Sequence, residues 1–218
     1  MTLHRLAEHP ASAIVNPFAS RYTRPGCLPP LDRMGRCIDA DDMLSALNQM
    51  GAMASICGPH GAGKSTLLIH LADRWEDRGM AVERVRLRTR GDISRAMACI
   101  CRASAAGLVC IDSWELAGGF ARWRAIRKAR SVGCRLLVTE HRQTGLPVLI
   151  ECRTTADLLG KIVSLLPDHH RWFGTLIDGA DIEAAFALSA GNLREAIAEL
   201  YDRFERRLPS APSLLVGG

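Results

Sequence analysis

The stretch GPHGAGKST, residues 58 to 66, constrains the fold of this chain more than any other part of its sequence. It follows the apolar run MASIC (53 to 57) and opens a segment that we predict to be helical from about Gly63 to Arg78. The fixed positions of the pattern G-x-x-x-x-G-K-[ST] are all matched, by Gly58, Gly63, Lys64 and Ser65. A glycine-rich turn between a strand and a helix lets successive N–H groups point inward, beside the positive end of the helix. The sequence therefore predicts a strand, loop and helix that bind a chain of phosphates.

We expect the whole loop to contact the nucleotide and the first helical turn to complete the site. The predicted binding residues are Gly58, Pro59, His60, Gly61, Ala62, Gly63, Lys64, Ser65 and Thr66. Lys64 should reach the β- and γ-phosphates, and the Ser65 hydroxyl should ligate Mg²⁺ with Thr66 behind it. His60 stands at a variable position of the pattern and receives no role of its own. The expected ligands are ATP and Mg²⁺.

A second magnesium ligand is predicted from GLVCIDS (107 to 113), in which Asp112 ends an apolar, strand-like run. The carboxyl ends of parallel strands meet at one edge of a sheet, so we expect Asp112 to lie beside the phosphate loop. The next residue is Ser113, which cannot act as a carboxylate base. Glu115 is the nearest candidate to orient the attacking water, and Glu140 is its weaker rival.

The apolar pattern alternates between strands and helices as far as Cys152 and is helical after it. Strands are predicted over 53–57, 81–88, 107–111, 134–139 and 146–151. Helices are predicted over DADDMLSALNQM, from Gly63 to Arg78, over DISRAMACICRASA and from Trp114 to Ser131, and after the strands over 155–166, 181–189 and 192–208. This order predicts an α/β fold in which helices cover both faces of a parallel sheet.

The same pattern divides the chain into regions. A proline-rich arm is predicted over 1–36, a core containing the phosphate loop over 37–152, a small helical lid over 153–208 and a flexible tail over 209–218. At 218 residues the chain is long enough for one domain with a small addition.

The stretches GPHGAGKST, LVCID and LLVTEH together resemble the core of an ASCE-type P-loop ATPase, across roughly residues 50 to 151. The resemblance implies a five-stranded parallel sheet of order 5-1-4-3-2, with the fourth strand inserted between the loop strand and the Asp112 strand. In such proteins the inserted strand ends in a polar residue near the γ-phosphate. The resemblance therefore implies that Thr139 and His141 sense the nucleotide.

The segment GNLREA, residues 191 to 196, is similar to the sensor-2 segment of AAA+ ATPases, in which a lid helix places an arginine on the γ-phosphate. By this resemblance Arg194 is the sensor-2 candidate. The segment also has a local interpretation, because Asn192 and Glu195 have the spacing of a helix capping box. The chain departs from the family in having no Asp-Glu pair, and the connection after the fourth strand is too short for a helix carrying an arginine finger. Arg142 lies in that connection.

Composition excludes some classes of function and leaves the partner open. Apolar stretches are too short for a membrane helix and no signal peptide is evident, so we expect a cytoplasmic protein. A net charge of +5 permits a nucleic-acid partner without indicating one. The basic helix around Trp123 carries Arg122, Arg124, Arg127, Lys128 and Arg130, with Arg135 after it. At 100° per residue these side chains spread around the helix, which favours a solvated helix over a phosphate-binding stripe.

Three functions stay open at this point. The first is an AAA+-like ATPase that converts ATP and water into ADP and phosphate as a nucleotide-dependent switch. The second is a small-molecule or nucleotide kinase, and the third is a module that binds ATP without hydrolysing it. A sheet with the Asp112 strand directly beside the loop strand would favour the kinase, and an intervening fourth strand would favour the ATPase. A protein partner or a second copy of the chain is compatible with each.

Overall fold

The computed structural model describes residues 15–208. Its strands are β1 (Met53–Cys57), β2 (Val82–Arg86), β3 (Leu108–Asp112), β4 (Arg135–Glu140) and β5 (Val148–Glu151). Its helices are α1 (Ser20–Thr23), α2 (Ala40–Gln49), α3 (Lys64–Asp77), α4 (Ile93–Arg102), α5 (Gly119–Val132), α6 (Ala156–Ser164), α7 (His169–Trp172), α8 (Gly179–Leu188) and α9 (Leu193–Arg207). Short 3-10 turns span Arg90–Asp92 and Trp114–Leu116. The predicted tail, 209–218, and residues 1–14 of the predicted arm lie outside the described residues.

The strands form a single parallel sheet in the order β2-β3-β4-β1-β5. Strand β4 therefore lies between β1 and β3, with Cys57 paired to Glu140 on one side and Ile111 to Val138 on the other. The predicted fold class and the order 5-1-4-3-2 are confirmed. This is the strand order that the resemblance to ASCE-type P-loop ATPases implied, and it lacks the direct β1–β3 pairing that would have favoured a kinase.

Two apolar clusters cover the two faces of the sheet. On one face α2 and α3 bury Leu44, Leu47 and Leu71 against β1 and β3. On the other face α4 and α5 bury small and branched side chains, including Ile100 and Ala125, against β3 and β4. The strands carry apolar residues toward both layers, which explains their nearly continuous apolar sequence.

A third cluster holds the helices after β5 together and includes part of the arm. Phe18 is 3% exposed and packs edge-on against Trp172 and Phe204, with ring centroids 5.3 and 6.0 Å away. Asn16 donates hydrogen bonds from Nδ2 to the Tyr201 carbonyl and to Glu205, at 3.1 and 2.8 Å. The arm therefore joins the helical region from its first described residues onward.

The helix predicted from Trp114 to Ser131 is wrong at its start, because α5 begins at Gly119. Ser113 adopts a left-handed conformation with φ of 66°, and the chain then makes a separate 3-10 turn that buries Trp114 completely. The burial of that ring against the sheet outweighs continuation of the helix. Helices α1 and α7 were not predicted, since four residues are too few to show a helical period.

Among the described residues, no helix has the length and apolar character needed to cross a membrane.

Candidate nucleotide-binding site

The phosphate loop connects β1 to α3 and packs closely against two other segments, one at Cys152 after β5 and one at Asn192 before α9. A side chain at Gly58 would place its Cβ 2.4 Å from the Cys152 carbonyl, and one at Gly61 would lie 1.8 Å from Asn192 Oδ1. Both glycines also have positive φ, of 151° and 71°. Glycine is therefore required at these positions by close packing and by backbone conformation together. The second contact brings the start of α9 directly onto the loop.

The first turn of α3 offers its backbone N–H groups to a ligand. The N-cap residue is Gly63, with φ of 82°, and in the described chain no side chain caps this end of the helix. The leading amides of a helix have no partner within the helix, and the helix dipole adds positive potential there. The loop thus has the geometry of an anion site.

Lys64 is folded over the loop from the first turn of α3. Its side chain is buried, and Nζ donates to the carbonyls of Gly58 and Pro59 at 2.7 and 2.6 Å. Burial lowers the pKa of Lys64, although nearby carboxylates oppose that shift. A third contact joins Nζ to Nδ1 of His141 at 3.1 Å. The ammonium group is therefore centred at the mouth of the loop.

Asp112, at the end of β3, is fixed by hydroxyl groups from two directions. Ser65 Oγ lies 3.1 and 3.2 Å from its two carboxylate oxygens, and Thr139 Oγ1 donates to Oδ1 at 2.5 Å. The Thr139 hydroxyl also accepts the Ser113 N–H at 2.9 Å, so its orientation is set. Arg86, which pairs with Asp112 in the β2–β3 register, places Nε 3.4 Å from Oδ2.

These oxygen ligands suit Mg²⁺. Ser65 and Asp112 supply a hydroxyl and a carboxylate, which are hard donors that magnesium prefers. Among the described residues, no group of three or more histidine, cysteine or acidic side chains could enclose a metal. Magnesium usually keeps several waters and binds through one or two protein ligands plus substrate phosphates. The donor set therefore fits a magnesium ion whose remaining ligands would be waters and phosphate oxygens.

Glu115 is brought back toward the loop by the left-handed Ser113 and the 3-10 turn. Its Oε1 lies 2.9 Å from Nε2 of His141, and its buried Oε2 has no hydrogen-bond partner in the part of the chain that the structure describes. Nδ1 of His141 lies 3.1 Å from Lys64 Nζ and 3.3 Å from the Gly58 carbonyl, so this nitrogen contacts both a donor and an acceptor. Burial lowers the pKa of His141 and Lys64 adds to that effect, while Glu115 opposes it. The imidazole ring therefore lies between Lys64 and Glu115 and contacts both.

The rival carboxylate Glu140 faces a different environment. Residues alternate across a strand, so Glu140 points away from the side that carries Thr139 and His141. It is fully buried; its Oε2 accepts a hydrogen bond from the Thr144 hydroxyl at 2.5 Å, and its Oε1, like Oε2 of Glu115, has no partner in the described chain. Its side chain is not part of the cleft wall. Arg142 is exposed in the short connection to β5 and also lies outside that wall.

A cleft of about 1330 Å³ lies over the loop, bounded by the strand ends, the arm and α9. Arg194 lines it and is exposed, with no ion pair to any residue that the structure describes. Asn192 caps α9 by accepting the Arg194 N–H at 3.2 Å, and its Nδ2 donates to Glu195 at 2.7 Å. The cap resembles the predicted box, except that Glu195 meets the side chain of Asn192.

Sequence patterns did not indicate two of the contacts at this site. The ring of His60 packs 3.6 Å from the ring of His141, centroid to centroid, although its position in the loop pattern is variable. Arg86 approaches Asp112 because the two residues pair across neighbouring strands. The second contact was available to sequence reasoning in principle, since both residues end strands that the fold places side by side.

No family model and no curated protein matches the sequence. Solved structures similar to this chain include two variants of Thermotoga maritima RuvB, with 20% and 18% identity, and C. elegans PCH-2, with 11%. The matches cover 73%, 74% and 78% of this chain, with TM-scores of 0.48, 0.45 and 0.39. They span 57% and 60% of the two RuvB chains and 68% of the PCH-2 chain. Because the identities and TM-scores are this low, the fold is assigned from the sheet order and the phosphate loop.

Proposed function

We propose that this chain binds Mg-ATP at the phosphate loop and hydrolyses it to ADP and phosphate, as an AAA+-like switch. The observation that carries the proposal is the convergence at the carboxyl edge of the sheet of two hydrogen-bonded sets, Lys64 with His141 and Glu115, and Ser65 with Asp112. Such a combination of a loop lysine, hydroxyl and strand-end carboxylate is the set that phosphoryl transfer from ATP requires.

In this proposal the phosphates bind to the free amides of the loop and of the first turn of α3. Lys64 already lies at the loop mouth and exchanges its carbonyl partners for the β- and γ-phosphates. Ser65 and Asp112 hold Mg²⁺, which when bound neutralises charge on the phosphates. Thr139 keeps the Asp112 carboxylate turned toward Ser65 through its 2.5 Å hydrogen bond. We therefore assign Thr139 a positioning role.

Water activation is assigned to Glu115. Its buried Oε2 has no partner in the described chain, and leaving such an oxygen unsatisfied costs about 1–3 kcal/mol. A water between this oxygen and the γ-phosphate would satisfy it. Glu115 accepts a proton from that water while the water oxygen attacks the γ-phosphorus. The bond between the γ-phosphorus and the bridging oxygen then breaks, and ADP leaves. His141 holds Oε1 of Glu115 and so fixes the direction of Oε2.

The region 153–208 is proposed as a lid that reports the nucleotide state to a partner. Its helix α9 begins against Gly61 of the loop, and Arg194 in its first turn faces the cleft without an ion pair in the described chain. A γ-phosphate would give this guanidinium an anionic partner, and its loss on hydrolysis would release α9. The other proposed regions of the chain are the arm (1–36) and the core (37–152).

The test is phosphate release from ATP by the full chain, with Lys64→Ala as the blank. We expect Mg²⁺-dependent release in the unchanged protein and none above background in Lys64→Ala, because the lysine is the main positive charge at the γ-phosphate. Equal rates in the two proteins would contradict the proposal. Tight binding of a fluorescent ATP analogue, without phosphate release, would instead identify a non-hydrolysing module.

A further inference from the structure

Two large aromatic side chains are exposed on α5. Phe120 is 71% exposed and Trp123 is 53% exposed, and their rings stack with centroids 5.8 Å apart and planes inclined by 22°. The chain has four tryptophans, and the other three, Trp75, Trp114 and Trp172, are at most 4% exposed. An exposed aromatic pair on a helix whose opposite side already packs in the core indicates a surface that binds something.

The charged residues of α5 are all cations. They are Arg122, Arg124, Arg127, Lys128 and Arg130. Two of these guanidinium groups lie over the exposed rings, Arg124 at 5.9 Å from the Phe120 centroid and Arg127 at 5.5 Å from the Trp123 centroid. None of the α5 cations forms an ion pair with a carboxylate in the part of the chain that the structure describes.

The structure gathers the exposed members of this set on one side of the helix. Ala125 and Ala129 are fully buried and define the side that faces the sheet. Residues spaced three or four apart share a helix face. The opposite side therefore carries the α5 stripe, which consists of Phe120, Trp123, Arg124, Arg127 and Arg130. The sequence wheel obscured the stripe, because Arg122 and Lys128, which are partly buried, lie on other sides of the helix.

Arginines on the other face of the sheet are neutralised by the chain itself. Arg74 and Arg78 both pair with Asp41 at 2.6 Å, and Arg84 pairs with Asp73 at 2.6 Å. The α5 stripe has no such carboxylate. An anionic partner would supply the negative charge that the described chain does not place on this stripe.

We propose that the α5 stripe binds a single-stranded nucleic acid. Backbone phosphates contact the three arginines, and an unpaired base stacks on the aromatic pair. Exposed bases offer flat faces to aromatic rings, and grooves that combine arginines with such rings bind single strands with little sequence preference. A duplex covers its base faces and would use only the arginines. No residue of the stripe lines the cleft over the phosphate loop, and the proposal does not rest on ATP hydrolysis.

The test measures binding of the full chain to fluorescein-labelled 20-nucleotide oligothymidylate and oligouridylate by anisotropy, at several salt concentrations. Trp123→Ala should weaken binding about tenfold, since base stacking on an aromatic ring contributes that much. The double variant Arg124→Ala, Arg127→Ala should weaken it further and reduce the slope of log affinity against log salt by about 1.4. The matched control Arg74→Ala, Arg78→Ala removes the same charge from paired sites and should change both quantities little.

Intrinsic fluorescence gives an independent readout. Since Trp123 is the exposed tryptophan, unlabelled oligonucleotide should quench a part of the emission that is missing in Trp123→Phe. Lys64→Ala should bind the oligonucleotides as the unchanged protein does, which separates this surface from the ATP site. The substituted positions other than Lys64 are exposed, and the melting temperatures of those variants should agree within about 2 °C.

Several results would overturn the proposal. Equal weakening by the α5 and α3 double variants would show that only net charge matters. Equal affinity for a 20-base-pair duplex would remove the role of the aromatic pair. Absence of oligonucleotide binding at low salt would refute the proposal directly, as would self-association or binding of an acidic peptide through the stripe in its place.

Discussion

Two polar clusters in this molecule are built around aspartates, and they differ in how completely the protein satisfies them. In the helical region Asp181 is 5% exposed, and its two oxygens accept from Arg203, from both Nη groups of Arg207 and from the Asp178 N–H. At the sheet edge Asp112 receives hydroxyl groups, while neighbouring Glu115 keeps a buried oxygen without a partner in the described chain.

The difference separates a structural cluster from one arranged for a ligand. Asp181 also closes a capping box with Asp178 at the start of α8, so it ties that helix to α9. Nothing in its surroundings requires a further partner. Around the phosphate loop, by contrast, the helix amides, the Arg194 guanidinium and Glu115 Oε2 all have capacity left for a ligand. Unsatisfied groups that point into one cleft are therefore the better indication of function.

The largest effect should come from Glu115→Gln. The substitution keeps the shape and the contact with His141 but removes the proton acceptor. We expect the rate of phosphate release to fall about 10²- to 10⁴-fold while ATP binding is retained. The matched control is Glu140→Gln, which lies on the other side of β4 and should stay within about threefold of the unchanged rate. If Glu140→Gln were the variant that lost turnover, the assignment of the base would have to be exchanged.

A substitution in the Asp181 cluster should lower the stability of the protein rather than its activity. Asp181→Asn leaves Arg203 and Arg207 without their carboxylate and should lower the free energy of unfolding by about 3 kcal/mol. For a chain of this size that corresponds to roughly 6–12 °C in melting temperature, measured by circular dichroism. The control Glu199→Gln removes the surface pairs with Arg203 and Arg206 and should cost about 0.5 kcal/mol. A melting temperature unchanged in Asp181→Asn would show that the cluster is dispensable.

Acidification should reversibly remove the stabilisation that the ionised Asp181 carboxylate provides. Hydrogen bonds from Arg207, opposed by burial and aided by Asp178 and Arg203, lower the pKa of Asp181 from 3.8 to about 2. A carboxylate with a depressed folded-state pKa stabilises the protein above its unfolded pKa and ceases to do so as the pH falls through the folded value. We expect a loss of about 2 kcal/mol between about pH 4 and pH 2. The urea midpoint of Asp181→Asn should change less over this interval than that of the unchanged protein.

The smallest effect should follow from Thr139→Val. The valine cannot accept the Ser113 N–H or donate to Asp112, and the lost hydrogen bonds should cost about 1–2 kcal/mol. Asp112 would then be less well oriented, so half-maximal phosphate release should require more Mg²⁺. Thr139→Ser keeps the hydroxyl and should restore the magnesium dependence. If the serine variant behaved like the valine variant, the methyl group rather than the hydrogen bond would be the important feature.

Local sequence determined much of the scaffold. The loop pattern, the apolar runs and Asp112 at a strand end were sufficient to predict a parallel α/β sheet and five strands close to their observed bounds. The resemblance to ASCE-type ATPases supplied the strand order, which the pairing of β4 with β1 and β3 confirmed. These features were predictable because they depend on short segments whose periodicity and glycine content have few structural solutions.

Tertiary structure alone decided which side chains meet. Burial of Trp114 shortened α5 and turned Glu115 toward His141, 26 positions along the chain, and no local pattern carries that information. Helix packing likewise put Phe120, Trp123 and the α5 arginines on one outward face, although the wheel had spread the cations around the helix. In both cases the physical reason is the same. Local propensities choose the element, whereas burial against residues distant in sequence chooses where it starts and which of its faces remains exposed.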